Sequence, residues 1–124
     1  MTGATFDTGA LIALERGDLR MAIKLRVLHQ AGVPITIPAS AVVEWWRKGH
    51  GQPRILELGR VEPMSEAIAK AAGEALAKVR GATAIDATVM ASAAQRADRV
   101  FTSDPHDLQK LHRHFRSVPD IIPV

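Results

Sequence analysis

The sequence predicts an α/β fold of three layers, with a mostly parallel central sheet and helices on both faces. Three observations point to it. Short β-rich runs alternate with helical runs along the chain, the pattern of successive βαβ units. Hydrophobic residues make up 47% but aromatic residues only 4%, so the core must be built from Ala, Val, Leu and Ile, which suits helix-on-sheet layers better than an aromatic-rich sandwich. The 124 residues suit a single domain, 1–124, and show no repeat, low-complexity tract or linker.

A short first strand is expected at 4–6. Asp7 and Thr8 then start a helix over 10–16, which Gly17 ends. Asp18 caps a second helix over 19–31, closed by Gly32. Its apolar residues Leu19, Ala22, Ile23, Val27 and Leu28 have helical spacing. Residues 34–37 form a strand ended by Pro38, and 40–48 a third helix. Residues 49–53 read as a loop and 54–58 as a short helix. A weak strand follows at 60–63. Ser65 begins a long Ala-rich helix to about Val79, broken at Gly81, and Thr83 starts another that runs to Ala97. The next strand is 99–102. Asp104 and Pro105 open a helix reaching about Phe115. The tail, 118–124, has strand propensity broken by Pro119 and Pro123.

Composition excludes several chemistries. With no cysteine, there is no disulfide framework, thiolate zinc site or cysteine nucleophile. The start of the chain lacks a basic segment followed by an apolar one, and no apolar run approaches the ~20 residues of a membrane span. A soluble, cytoplasmic protein is expected, without membrane contact. The formal charge is +3. Setting aside Asp7, Glu44, Asp86 and Asp104, 16 basic residues face 9 acidic ones, a balance of +7. That is a basic surface around an acidic hole, suited to a polyanion; a pI near 9.8 is equally compatible with mere solubility.

Those four acids are the candidate site. Asp7 follows the first strand, and Asp104 follows the strand at 99–102. In a parallel sheet both emerge at the same edge, where such sheets bind ligands. Asp86 lies in the first turn of the helix feeding that later strand, and Glu44 lies in the helix after the second strand. Clustered carboxylates stay ionised only with cations nearby, or else their pKa values rise. Mg²⁺ and Mn²⁺ prefer such oxygen donors and can activate a water against a phosphodiester. Each acid also has a structural account. Asp7 can cap its helix, Asp104 with Pro105 and Asp107 makes a capping pattern, and Thr83 with Asp86 makes another. Glu44, inside the apolar run 41–46, can pair with Lys48.

The segment Phe6-Asp7-Thr8-Gly9-Ala10-Leu11-Ile12 resembles the opening signature of the PIN-domain family, most closely bacterial toxins of the VapC kind. Val42-Val43-Glu44-Trp45, Ala84-Ile85-Asp86-Ala87 and Val100-Phe101-Thr102-Ser103-Asp104 through Leu108 are similar to its later motifs, in order along nearly the whole chain. The resemblance implies a three-layer α/β/α fold and Mg²⁺- or Mn²⁺-dependent cleavage of RNA that inhibits translation. It implies a homodimer and a cognate antitoxin. It makes Asp7, Glu44, Asp86 and Asp104 metal-site acids, with Thr8, Thr102 and Asp107 auxiliary.

Other readings fit less well. Asp7-Thr8-Gly9 matches aspartic proteases locally, but runs into a helix and has no second copy. A phosphotransfer receiver would add a strand-end lysine, and a haloacid-dehalogenase phosphatase a second aspartate where Gly9 stands. The five histidines read as surface or loop residues, with His106 a possible RNA contact. Trp45 and Trp46 cannot both point inward on a helix. Arg47, Lys48 and Arg54 are candidates for gripping phosphates, with Lys110, Arg113 and Arg116 weaker ones. A non-catalytic RNA- or protein-binding module on the same fold is the alternative.

Overall fold

The computed structural model describes residues 2–47 and 52–124. Strand β1 (Ala4–Phe6) leads into helices α1 (Thr8–Glu15) and α2 (Leu19–Gln30). Strand β2 (Ile35–Pro38) leads into α3 (Ala39–Arg47), followed by α4 (Pro53–Leu56). Strand β3 (Arg60–Glu62) precedes α5 (Glu66–Lys78) and α6 (Ala84–Arg96). Strand β4 (Arg99–Thr102) precedes α7 (Pro105–His112), and β5 (Ile121–Pro123) closes the order. The five strands form one sheet, β3-β2-β1-β4-β5, and every pairing is parallel. The fold is the three-layer α/β/α class that the alternating pattern predicts, with a sheet that is parallel throughout.

Parallel strands are covered on both faces, so their residues are buried in runs rather than alternately. All of β1 and β2 is buried, as are Val100, Phe101 and Thr102 of β4. Phe6 and Phe101 pack edge to face at 5.4 Å across the β1–β4 pair. The helices contribute Leu11, Met21, Trp45, Met90, Leu108 and Leu111, all with essentially no exposure. Trp45 goes inward and its Nε1 donates to Glu15 Oε2 at 3.0 Å, while Trp46 stays half exposed.

Helix ends follow the expected signals. Asp18 accepts from the Met21 amide at 2.9 Å, and Gly17 and Gly32 take the left-handed conformation (φ 72° and 69°) that closes α1 and α2. Ala97, at φ 56°, does the same for α6 without being glycine.

Four features differ from the sequence reading. On α2, Leu19, Ile23 and Val27 face solvent; the inward side is Met21, with Leu25 and Leu28 packed against the core. Helical spacing marks a stripe but not its direction, and α2 lies at the margin of the fold. Helix α7 stops at His112, well before Phe115, where the chain turns to bring Val118 into the core. The tail makes a true strand, because Pro123 lies on an edge, where a missing amide costs no ladder bond. The fourth is a partly buried ionic network. Arg96 reaches Asp98 at 2.8 Å and Glu62 at 2.5 Å, and also donates to Thr5 and Ser92. It ties β1, β3, α6 and the approach to β4 together. Among the described residues, no helix is long and apolar enough to cross a membrane.

Candidate active site

The strand order determines where a cleft opens. From the central β1 the chain moves outward through β2 and β3, then returns to lay β4 on the other side of β1. Connections leaving β1 and β4 therefore diverge, opening a crevice beyond their carboxyl ends. Asp7 is the residue after β1, and Asp104 lies two residues after β4. Helices α3 and α6 bring Glu44 and Asp86 to the same place.

The crevice has a volume of about 320 Å³. Asp7, Glu44, Asp86, Asp104 and Asp107 all line it, with Thr8, Gly9, Thr83 and Ser103 beside them and Ile12, Ile85 and Val89 as its apolar part. Each acid is held differently. Asp7 is buried, caps α1 and accepts from the Ala10 amide at 3.0 Å. Asp86 sits in the first turn of α6, whose cap Thr83 accepts the Asp86 amide at 3.1 Å. Asp104 precedes α7 yet makes no side-chain capping bond. Its amide instead donates to Thr102 Oγ1 at 2.9 Å, and the same Thr102 side chain lies by Asp7 and favours its charged form. One buried threonine thus links the two strand-end acids from beneath the cleft. Thr8 donates to the Ala41 carbonyl at 3.3 Å, joining α1 to the helix that carries Glu44.

The electrostatics are those of crowded acids. Burial pushes Asp7 up to about 6, against hydrogen bonds from Thr102, Ala10 and Gly9 that lower it; the nearby Asp86 adds to the rise. Asp86 is also raised, chiefly by burial, with contributions from Asp107, Glu44 and Asp104; its hydrogen bond to Thr83 opposes them. Asp104 is raised first by a hydrogen bond shared with the Asp107 carboxyl. These shifts describe a cleft short of positive charge.

As the side chains stand, no three His, Asp or Glu groups among the described residues are close enough to hold one ion between them. The donor set still suits one class of ion. Among the described residues, every ionisable group lining the cleft is a carboxylate, and hard cations such as Mg²⁺ take one or two carboxylates directly while keeping several waters. A cleft this wide leaves room for those waters, so the residues fit a hydrated hard cation and not a soft one.

The remaining expected residues lie elsewhere. Arg47 and Arg54 are exposed and do not line the cleft; Lys48, and with it the pairing to Glu44, falls outside the described residues. His106 is exposed beside Asp104. Sequence reasoning missed the contact between Gly9 and Ser103. A Cβ on Gly9 would lie 1.9 Å from Ser103 Oγ and 2.9 Å from its backbone nitrogen. A glycine inside the first turn of a helix that starts at a candidate acid was the available signal. No protein-family model matches the chain, and no curated protein is similar enough to count as a match.

Proposed function

We propose that this chain is a divalent-cation-dependent phosphodiesterase acting on nucleic acid. More particularly, it is a PIN-domain ribonuclease of the VapC toxin type. The observation that carries the reading is the convergence of Asp7, Glu44, Asp86 and Asp104 on one cleft at the switch point of a parallel sheet. The motif resemblance then selects RNA over other phosphodiesters.

When bound, Mg²⁺ or Mn²⁺ supplies an acidified water and a counter-charge for the phosphodiester. Asp7, Asp86 and Asp104 are the residues that would hold it. Glu44, half-buried on α3, is assigned as a further ligand or as the base that orients the attacking water. Thr102 and Thr8 keep the acids in register, and Asp107 lines the cleft beside Asp104. The basic surface outside the cleft draws in the polyanion.

Helix capping, the rival account of these acids, explains Asp7 but not Asp104, which makes no capping bond. A protein partner, the antitoxin or a second copy that the resemblance implies, has a suitable surface on α2. There Leu19, Ile23 and Val27 stand 73%, 54% and 56% exposed at four-residue spacing, an apolar stripe of the kind that marks interfaces.

The test is cleavage of a mixed structured-RNA pool by purified protein free of any partner, with Mg²⁺ or Mn²⁺ and with EDTA. Cutting is expected only with metal, and is expected to vanish in Asp104→Asn. Cutting that survives EDTA, or full activity in Asp104→Asn, would sink the reading. A folded protein that binds RNA and never cuts it would favour the non-catalytic module.

A further inference from the structure

A second concavity, about 510 Å³, lies at the far end of α7. It is lined by Gln109, His112, Arg113, Arg116, Val118 and Pro119. It carries two arginines and a histidine and no acid. Arg113 and Arg116 are exposed and make no ion pair among the described residues. Its wall is pinned. His112 Nε2 lies 2.7 Å from the Val118 carbonyl, Ser117 Oγ donates to the Ala94 carbonyl at 2.8 Å, and Phe115 and Val118 are buried. Two unpaired guanidinium groups are thus presented from a turn anchored on both sides. Such groups recognise phosphate oxygens in a forked geometry.

Basic residues at a helix end also offset its dipole. That account covers Arg113, at the end of α7. It does not cover Arg116, which lies beyond the last turn, nor the concavity itself.

We propose that this concavity is a second grip on the RNA backbone. The proposal rests on the ribonuclease reading. Helix α7 joins the two sites: Asp104 and Asp107 line the acidic cleft, and the exposed His106, Lys110 and Arg113 cover the helix surface between them. At about 1.5 Å of rise per residue, Arg113 lies roughly 14 Å along the axis from Asp104. A stacked strand advances about 3.4 Å per phosphate. The concavity therefore engages a phosphate at least about four nucleotides from the bond in the cleft, and only RNA long enough to span both sites uses it.

The experiment compares labelled single-stranded RNAs of four and twelve nucleotides, binding to Asp7→Asn protein in Mg²⁺ across a salt series. The Asp7→Asn background keeps the RNA uncut. Adding Arg113→Ala and Arg116→Ala is expected to weaken the twelve-mer about tenfold and leave the four-mer unchanged. The slope of log affinity against log salt should flatten by about 1.4, from two lost contacts at ~0.7 each on a single strand. Arg113→Lys with Arg116→Lys should retain the slope. Arg20→Ala with Arg26→Ala, on α2, should change nothing. Unchanged twelve-mer affinity and slope in the alanine variant would overturn the proposal, as would an equal loss in the α2 control. A lower melting temperature with unchanged binding would assign the arginines to the helix dipole instead. Wild-type protein that never cuts, while binding still depends on these arginines, would remove the nuclease reading and leave this site standing. Cutting by wild type with no arginine dependence of binding would do the reverse.

Discussion

Replacing Asp7 by Asn should make the metal-free protein more stable while ending cleavage. Asp7 ionises near 6 in the folded protein against 3.8 in an ordinary setting. The native state therefore holds a proton that the unfolded chain releases, and stability falls as pH rises from about 4 to 6. The shift corresponds to about 3 kcal/mol at ~1.36 kcal/mol per pH unit, fully felt at pH 8 and absent below pH 4. Asn keeps one oxygen to accept the Ala10 amide and removes the charge, its NH2 standing where the protonated carboxyl of Asp7 carries its hydroxyl. A gain of about 2–3 kcal/mol is expected at pH 8 in EDTA, or roughly 8–12 °C for a chain of this size. Thermal melts of both proteins at pH 4.5 and pH 8 check it. An advantage of the same size at both pH values would refute the electrostatic argument, and a less stable mutant at pH 8 would refute the burial behind it.

Other outcomes follow from neighbouring contacts. Gly9→Ala should cost about 1–3 kcal/mol through overpacking and reduce activity by parting α1 from the segment bearing Asp104; Gly9→Ala with Ser103→Gly should recover part of both losses in melts and cleavage assays. Mn²⁺ should raise the melting temperature of wild type by about 10 °C at a hundred times its dissociation constant. Ions compete with the proton on Asp7, so that gain should shrink between pH 7 and pH 5; an equal gain in Asp7→Asn would place the ion elsewhere. Arg96→Met should lower stability by about 3 kcal/mol, because the buried Asp98 and the partly buried Glu62 lose their shared partner. The Mn²⁺ gain should survive that change, since the network lies outside the cleft.

Much of the fold was legible because its signals are local. The caps at Asp18, Ser65 and Thr83 and the closures at Gly17 and Gly32 stand where the sequence puts them. The meeting of the acids could be reasoned from one rule, that parallel strands deliver their carboxyl ends to the same edge. What stayed hidden depends on partners distant in sequence. The motif resemblance marks Thr102 as auxiliary, but what it touches shows only once β4 is laid against β1, where its hydroxyl accepts the Asp104 amide and lies beside Asp7. Arg96 reads as a helix-end cation, and only the sheet order brings Glu62 and Thr5 to it. The direction of the α2 stripe was likewise unreadable, because Leu19 and Met21 are equally apolar in sequence and only the placement of α1 chooses between them.

The central position of β1 has a consequence for synthesis. The first strand made is flanked on one side by β4, whose residues 99–101 pair with residues 4–6. Until that late strand has emerged, β1 lacks one neighbour and Asp7 lacks Thr102 and Asp104. A chain still growing on the ribosome therefore lacks one of the two strand-end acids of the cleft. Pairings so far apart along a chain also close slowly. The cleft is among the last things this protein completes, and a truncated chain ending before β4 would be without it.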